Sequence, residues 1–232
     1  MENPPAPIVS IVDGDEHVRA ALCRLLRDSG YTARAYDSAT AFLQDVDLEN
    51  SPACLLLDLE LPDYSGIELQ RRLDGIVPIV FISAHGDMTT AVAAMKAGAT
   101  DFLAKPVDAL ALLDATAHAL ERACQLFTRR KERAEIQSRV DRLTPREREV
   151  MALVVKGRPN KLVADELGAA EKTIKIHRAR VMEKMQVRSL ADLVRLVVGA
   201  QSDDEALLAA PGARERIGAG QSQETRVAGR VT

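Results

Sequence analysis

The sequence predicts a doubly wound α/β domain built on a five-stranded parallel sheet. An all-α domain of four helices containing a helix-turn-helix follows, and a long helical linker joins the two. Three observations predict this. Short apolar runs alternate with segments of helical period over residues 1–120, the pattern of βα units with parallel strands. Residues 121–142 contain no Gly or Pro and are dominated by strong helix formers. Charge changes sign along the chain: about −10 over 1–127, about +3 over 128–142 and about +5 over 143–199. The net charge of −3 conceals this asymmetry. An acidic front and a basic back suit different partners, with a polyanion for the second.

In order, Ile8-Val9-Ser10-Ile11-Val12 is the first strand and ends at Asp13-Gly14-Asp15-Glu16. A helix with Val18, Ala21, Leu22, Leu25 and Leu26 on one face follows and stops at Gly30. Tyr31–Tyr36 reads as a strand and Ser38–Val46 as a short helix. Leu55-Leu56-Leu57 has no polar interruption, as expected of a strand buried on both faces, and runs into Asp58. A loop with Pro62, Asp63 and Gly66 leads to a helix from Ile67 to Leu73. Val77–Ile82 is the fourth strand and ends at Ser83; Asp87–Ala97 is a helix closed by Gly98. Thr100–Ala104 is the fifth strand, ends at Lys105-Pro106, and precedes a long helix from near Val107.

The strand ends carry the chemistry. Strand C-termini of a parallel sheet converge on one rim, so Asp13, Asp58, Ser83 and Lys105 are expected in one crevice. Asp58 is not needed to cap the helix after it, because Asp63 and Ser65 supply that cap. The set suits phosphoryl transfer onto a carboxylate, with Asp58 as nucleophile. A Mg²⁺ held by few carboxylates neutralises phosphoryl oxygens, and Lys105 with the Ser83 hydroxyl holds them in the product.

In the linker, Leu120, Phe127, Ala134 and Ile136 form a thin apolar seam, suited either to a short coiled coil with a second copy or to a solvated helix. Beyond it, Thr144 is placed as an N-cap with Pro145 at the first helical position and Glu147 completing a capping box. Asn160–Leu167 is a short helix ended by Gly168, and Glu171–Met185 a longer one. Two helices joined by a tight Gly turn, the second rich in Lys and Arg, form a helix-turn-helix. Ser189–Val198 is the fourth helix, packed behind. On the second helix Ile174, Val181, Met182 and Met185 fall at core spacing. Lys175, Arg178 and Ala179 fall opposite, with Ile176 and Arg180 near the edges. Such a face suits the major groove, where Lys or Arg reaches guanine edges and apolar groups meet thymine methyls.

The front half resembles the receiver domain of two-component response regulators. The resemblance rests on Val12-Asp13, Asp58 with Leu61-Pro62-Asp63-x-x-Gly66, Ser83-Ala84, Ala97-Gly98-Ala99-x-Asp101-Phe102 and Lys105-Pro106. The back half resembles the LuxR/NarL-type DNA-binding domain through Leu143-Thr-Pro-Arg-Glu-x-Glu-Val, Gly157, Asn160-Lys161 and Lys172-Thr173-Ile174-Lys175-Ile176-His177. Together they resemble the FixJ/NarL family of response regulators. That resemblance implies a CheY-like receiver over 1–120, a helical linker over 121–142, a DNA-binding domain over 143–199 and a tail over 200–232. It implies phosphorylation of Asp58 by a sensor histidine kinase, and Mg²⁺ held by Asp13, Asp58 and the Glu60 carbonyl. Ser83 and Phe102 reorient on phosphorylation, with Lys105 on the phosphoryl group and a cis bond at Lys105-Pro106. Lys175, Ile176 and Ala179 approach bases; Lys161, Thr173, Arg178 and Arg180 lie nearer phosphates. The partners so implied are DNA, a kinase, a second copy in an active homodimer, and RNA polymerase.

Two positions depart from the pattern. Gly14 stands where the family has a second acid on the Mg²⁺, with Asp15 one residue too late unless Gly14 lets it reach inward. The alternative reading is therefore a phosphorylation-independent DNA-binding regulator with a degenerate acidic pocket. Ala170 replaces a Ser-like N-cap, a loss of about 1 kcal/mol. An aspartyl-phosphate phosphatase, with Glu60 as acid/base, leaves the basic helix-turn-helix unexplained, so the chain is read as a non-enzyme. Cys23, Cys54 and Cys124 are odd in number and lack metal spacing, which predicts buried thiols in a reducing cytosol. No apolar run is long enough for a membrane span, and the N-terminus lacks a signal pattern; a cytoplasmic protein is expected. The tail lacks aromatics and periodicity and is expected to be disordered.

Overall fold

A computed structural model describes residues 5–84 and 88–197. They form two compact units that divide between Thr128 and Arg129. In the first, strands β1 (Ile8–Val12), β2 (Thr32–Tyr36), β3 (Ala53–Asp58), β4 (Ile79–Ser83) and β5 (Asp101–Ala104) alternate with helices α1 (Glu16–Asp28), α2 (Ala39–Asp45), α3 (Gly66–Leu73) and α4 (Met88–Lys96). All strand pairs are parallel, in the order β2-β1-β3-β4-β5.

Alternation along the strands builds two cores, one on each face of the sheet. Val9, Ile11, Leu56, Val80 and Ile82 pack with Leu22 and Leu26 of α1 and with Leu112, Ala115 and Ala119. Leu55, Leu57, Ile79 and Phe81 pack on the other face with Phe42 of α2, Leu69 and Leu73 of α3, and Ala94 of α4. Burial on both sides explains why β3 reads as an unbroken apolar run. Helix α4 is the lightly held one: Ala94 is its buried residue, and the Gln70 amide of α3 donates to the Ala94 carbonyl at 3.0 Å.

Helix α5 runs unbroken from Ala109 to Asp141, through the division between the units. The helix does continue past the sheet domain, as its composition predicts. Its expected apolar seam is not free, however: Leu120 belongs to the core of the first unit and Phe127 is buried as well. Of the four expected seam residues, Leu120 and Phe127 are thus spent on packing within the chain, while Ala134 is exposed and Ile136 half-buried. Cys23 and Cys54 are buried, but Cys124 is exposed, contrary to the expectation of three buried thiols. Desolvation pushes the Cys54 thiol up to about 12, so it is inert packing.

The second unit contains α6 (Pro145–Val155), α7 (Asn160–Leu167) and α8 (Glu171–Lys184), with residues 190–197 also helical. Leu143, Val150, Val154, Val163, Ile174, Val181, Met185 and Leu193 form its core. Thr144 and Glu147 make the expected capping box, with Pro145 in the first turn. Ala170 precedes α8 without a side-chain cap, also as expected. Among the described residues no helix is long and apolar enough to cross a membrane. The expected helix end at Val198 and the tail over 200–232 lie outside the described residues, as do residues 85–87.

Candidate functional site

The carboxyl ends of β1, β3, β4 and β5 deliver Asp13, Asp58, Ser83 and Lys105 to one rim, as the strand ends predict. Lys105 Nζ lies 2.7 Å from Asp13 Oδ2 and 2.7 Å from Asp58 Oδ2. The other oxygen of each carboxylate accepts a main-chain N–H from two residues on. Asp15 N donates to Asp13 Oδ1 at 2.8 Å and Glu60 N to Asp58 Oδ1 at 3.3 Å. Burial opposes the charge on Lys105, but its bonds to Asp13 and Asp58 outweigh that and raise its pKa. It is a fixed cation between two acids.

Exposure separates the two carboxylates. The Asp13 side chain is 2% exposed and that of Asp58 12%, so a reagent from solvent meets Asp58 first. Behind Asp13, Arg19 of α1 donates to its main-chain carbonyl at 2.7 Å, a contact that sequence patterning did not reveal. Ser83 is buried at the end of β4, and its carbonyl accepts the Lys105 amide at 2.8 Å. The Lys105-Pro106 bond is cis. Phe102 is partly buried against Phe81, ring centroids 6.2 Å apart, on the strand next to Ser83.

The loop after Asp58 is set by packing and capping. A β-carbon on Gly66 would lie 2.5 Å from the Asp58 carbonyl oxygen, so α3 starts directly behind the acid. Ser65 and Glu68 cap α3 with a capping box. Asp63 does not share that task as expected. It accepts the amides of Ala39 and Thr40 at 3.1 and 2.8 Å and the Thr40 hydroxyl at 2.6 Å, binding the loop to α2. Burial works against its charge, yet these bonds win and hold the Asp63 carboxyl below the usual range.

Asp15 does not reach inward. Its Oδ1 accepts from His17 N and Val18 N as the N-cap of α1, and these bonds lower its pKa. The position of Gly14 is open: a β-carbon there meets its nearest neighbour, Pro62 Cδ, at 3.7 Å, an ordinary contact. Among the described residues no group of three or more His, Cys, Asp or Glu side chains is arranged to hold a metal. The two carboxylates, Asp13 and Asp58, are nevertheless hard oxygen donors of the kind Mg²⁺ accepts, with water completing its shell. The residues fit the ion with a thin ligand set.

In the second unit, Lys161, Thr173, Lys175, Ile176, Ala179 and Arg180 are exposed, Ile176 at 48%. Ile174, Val181 and Met185 face the core, as spacing predicts, with Met182 partly buried. Lys175 pairs with Glu171 one turn earlier at 3.2 Å. Arg178 departs from its expected place on the outer face. It is half-buried, four residues after Ile174 and three before Val181, and donates to Asn160 Oδ1 at 3.1 Å. His177 is half-buried, and its Nδ1 has no hydrogen-bond partner among the described residues. The C-terminal end of α8 is anchored by Lys184, which reaches buried Glu147 at 2.6 Å; that bond foremost lowers the Glu147 carboxyl to about 2.

Comparison with known proteins agrees with this two-part geometry. Residues 9–117 match the response regulator receiver domain, and residues 141–197 match the bacterial regulatory proteins of the luxR family. Nodulation protein W of Bradyrhizobium diazoefficiens is 44% identical over 192 residues, covering 82% of this chain and 84% of that protein. Transcriptional regulatory protein FixJ of Rhizobium meliloti is 39% identical over 194 residues, covering 82% and 94%. Among solved structures, response regulator StyR superposes with a TM-score of 0.70 at 44% identity, covering 84% of this chain and 99% of that one. The chain thus belongs to the two-component response regulators that join a receiver domain to a luxR-type DNA-binding domain, and it is a DNA-binding transcription regulator controlled through its receiver.

Proposed function

We propose that Asp58 accepts a phosphoryl group from a sensor histidine kinase and that this event controls DNA binding by residues 143–199. The observation that carries the reading is Lys105 Nζ held 2.7 Å from both Asp13 and Asp58 at the strand ends. A carboxylate oxygen of Asp58 attacks phosphorus, the bond to the donor nitrogen breaks, and an acyl phosphate forms. Lys105 then compensates the added negative charge, and the Ser83 hydroxyl takes a phosphoryl oxygen. Asp13, Asp58 and the Glu60 carbonyl are the residues to hold Mg²⁺, which when bound neutralises the phosphoryl oxygens.

The output follows from the surface. Met88, Val92 and Met95 line α4 at helical spacing and are exposed, as is Leu110 at the start of α5. This apolar face, beside Ser83 and Phe102, supports pairing of two receivers into a homodimer once those residues reorient. Two helix-turn-helix units then meet paired half-sites. Lys175, Ile176 and Ala179 are assigned to bases, and Lys161, Thr173, Arg178 and Arg180 to phosphates, with RNA polymerase recruited at the promoter. The receiver is taken as 1–120 and the linker as 121–142.

Treatment with a small-molecule phosphodonor and Mg²⁺, read by intact mass, tests the switch. A phosphoryl adduct is expected on the wild type and not on Asp58→Ala. No adduct with donor and metal in excess would favour the second reading, a phosphorylation-independent regulator. Gly14 and the outward turn of Asp15 are the observations on that side.

A further inference from the structure

We infer that Asn160 of α7 is a positioning residue that aims the Arg178 guanidinium at a DNA phosphate. The inference rests on the DNA-binding reading of the second unit and assigns a role to a residue that the reading leaves aside.

The spacing of Arg178 is the first ground. It sits four residues after Ile174 and three before Val181, both fully buried, so helical geometry directs it toward the seam between α8 and its neighbours. A charged side chain there must find a polar partner or swing out to water. Arg178 does the former: Nη1 donates to Asn160 Oδ1 at 3.1 Å, and the side chain stays half-buried. The interaction ties the first residue of α7 to the middle of α8.

The nature of the partner is the second ground. Three other cations of this unit pair with carboxylates: Lys184 with Glu147, Lys175 with Glu171 and Arg146 with Glu149. Arg178 is matched by a neutral amide, which fixes direction without cancelling charge. Arg is a pure donor, so the Asn160 oxygen must face it and the Asn160 NH₂ must face away. Arg178 keeps donors that bond no other group among the described residues. The pair therefore presents N–H groups and a full positive charge beside exposed Lys161. An all-donor, cationic surface suits phosphate oxygens, which only accept. Holding the planar guanidinium also removes the rotamer freedom that a free Arg loses on binding.

The test is a double-mutant cycle on the full chain, with Asn160→Ala, Arg178→Ala and the double variant. Binding to a fluorescein-labelled mixed-sequence duplex is measured by anisotropy across a range of KCl concentrations, with thermal midpoints taken for every protein. Arg178→Ala is expected to flatten the salt slope by about 0.9, the loss of one phosphate contact. Asn160→Ala is expected to weaken binding about three- to tenfold in the wild-type background. In the Arg178→Ala background the same change should cost less than about twofold. Asn160→Gln, which keeps the amide but displaces its oxygen by one methylene, should show the same coupling. Equal losses in both backgrounds, or no loss in either, would overturn the inference. Absence of salt-dependent binding by the wild type would overturn the DNA-binding reading beneath it.

Discussion

Gly66 stands directly behind Asp58: a β-carbon on the glycine would lie 2.5 Å from the Asp58 carbonyl oxygen and 3.1 Å from the Phe81 ring. The requirement is steric, since main chain and a buried ring fill the space. Gly66→Ala is expected to push β3 and α3 apart, at a cost of about 1–3 kcal/mol for overpacking. Labelling of Asp58 should fall more than global stability does, because the displaced atom belongs to the acid itself. Urea unfolding and phosphodonor labelling of the same preparation would separate the two effects.

The opposite outcome is expected at Gly14, where there is room. Gly14→Asp places a third carboxylate beside Asp13, with Pro62 Cδ as its nearest neighbour at an ordinary 3.7 Å. Adding a charged oxygen ligand should tighten Mg²⁺ binding about tenfold or more. Calorimetric titration with MgCl₂ measures this directly. Unchanged affinity would mean that the new side chain does not face the ion.

The pair Glu147–Lys184 makes the second unit acid-sensitive. The bond from Lys184, first among its causes, holds the Glu147 carboxyl at about 2, below the ordinary 4.5. A depressed acid stabilises the fold fully above its unfolded pKa and loses that contribution as pH falls through the folded value. Stability should therefore decline between about pH 5 and pH 2. Glu147→Gln should be less stable at neutral pH and should lose less stability than the wild type across that window. Thermal melts of the two proteins at matched ionic strength provide the comparison.

Glu171 lies on the exposed face of α8 proposed above to meet DNA and pairs with Lys175 at 3.2 Å. Both side chains are largely exposed, so the pair adds little to stability. Its effect lies in binding, where a carboxylate competes with DNA for the lysine. Glu171→Gln is expected to strengthen binding to mixed-sequence duplex and to leave the thermal midpoint nearly unchanged. Anisotropy at low and moderate salt would show the gain shrinking as screening rises.

Which features were legible in the sequence depends on the range of the forces that fix them. Asp13, Asp58, Ser83 and Lys105 follow from strand ends, and strand ends follow from local apolar runs. Thr144, Pro145 and Glu147 form a contact within one helical turn, readable from spacing alone. The misplaced residues are those whose partners lie far away in sequence. Asp63 looks like a cap for the helix it precedes, yet it bonds to Ala39 and Thr40 on α2. Arg178 looks like part of the outer face until Asn160, 18 residues back, draws it toward the seam. Leu120 looks like part of a free seam because a sheet core and a coiled coil demand the same apolar residues. Asp15 was the closer contest, decided by two amides at the start of α1 that offer its carboxylate a nearer home than the pocket.

The light attachment of α4 has a mechanical consequence. Ala94 is the buried residue of this helix, with Thr90 and Ala91 half-buried, so α4 can shift with little loss of core packing. Exposing the Ala94 methyl and breaking the Gln70 bond to its carbonyl together cost about 2 kcal/mol, roughly one methyl transferred to water and one net hydrogen bond. This lightly held helix follows in chain order the strand that ends at Ser83, so under the proposed phosphorylation of Asp58 a local reaction would act as a lever on the surface.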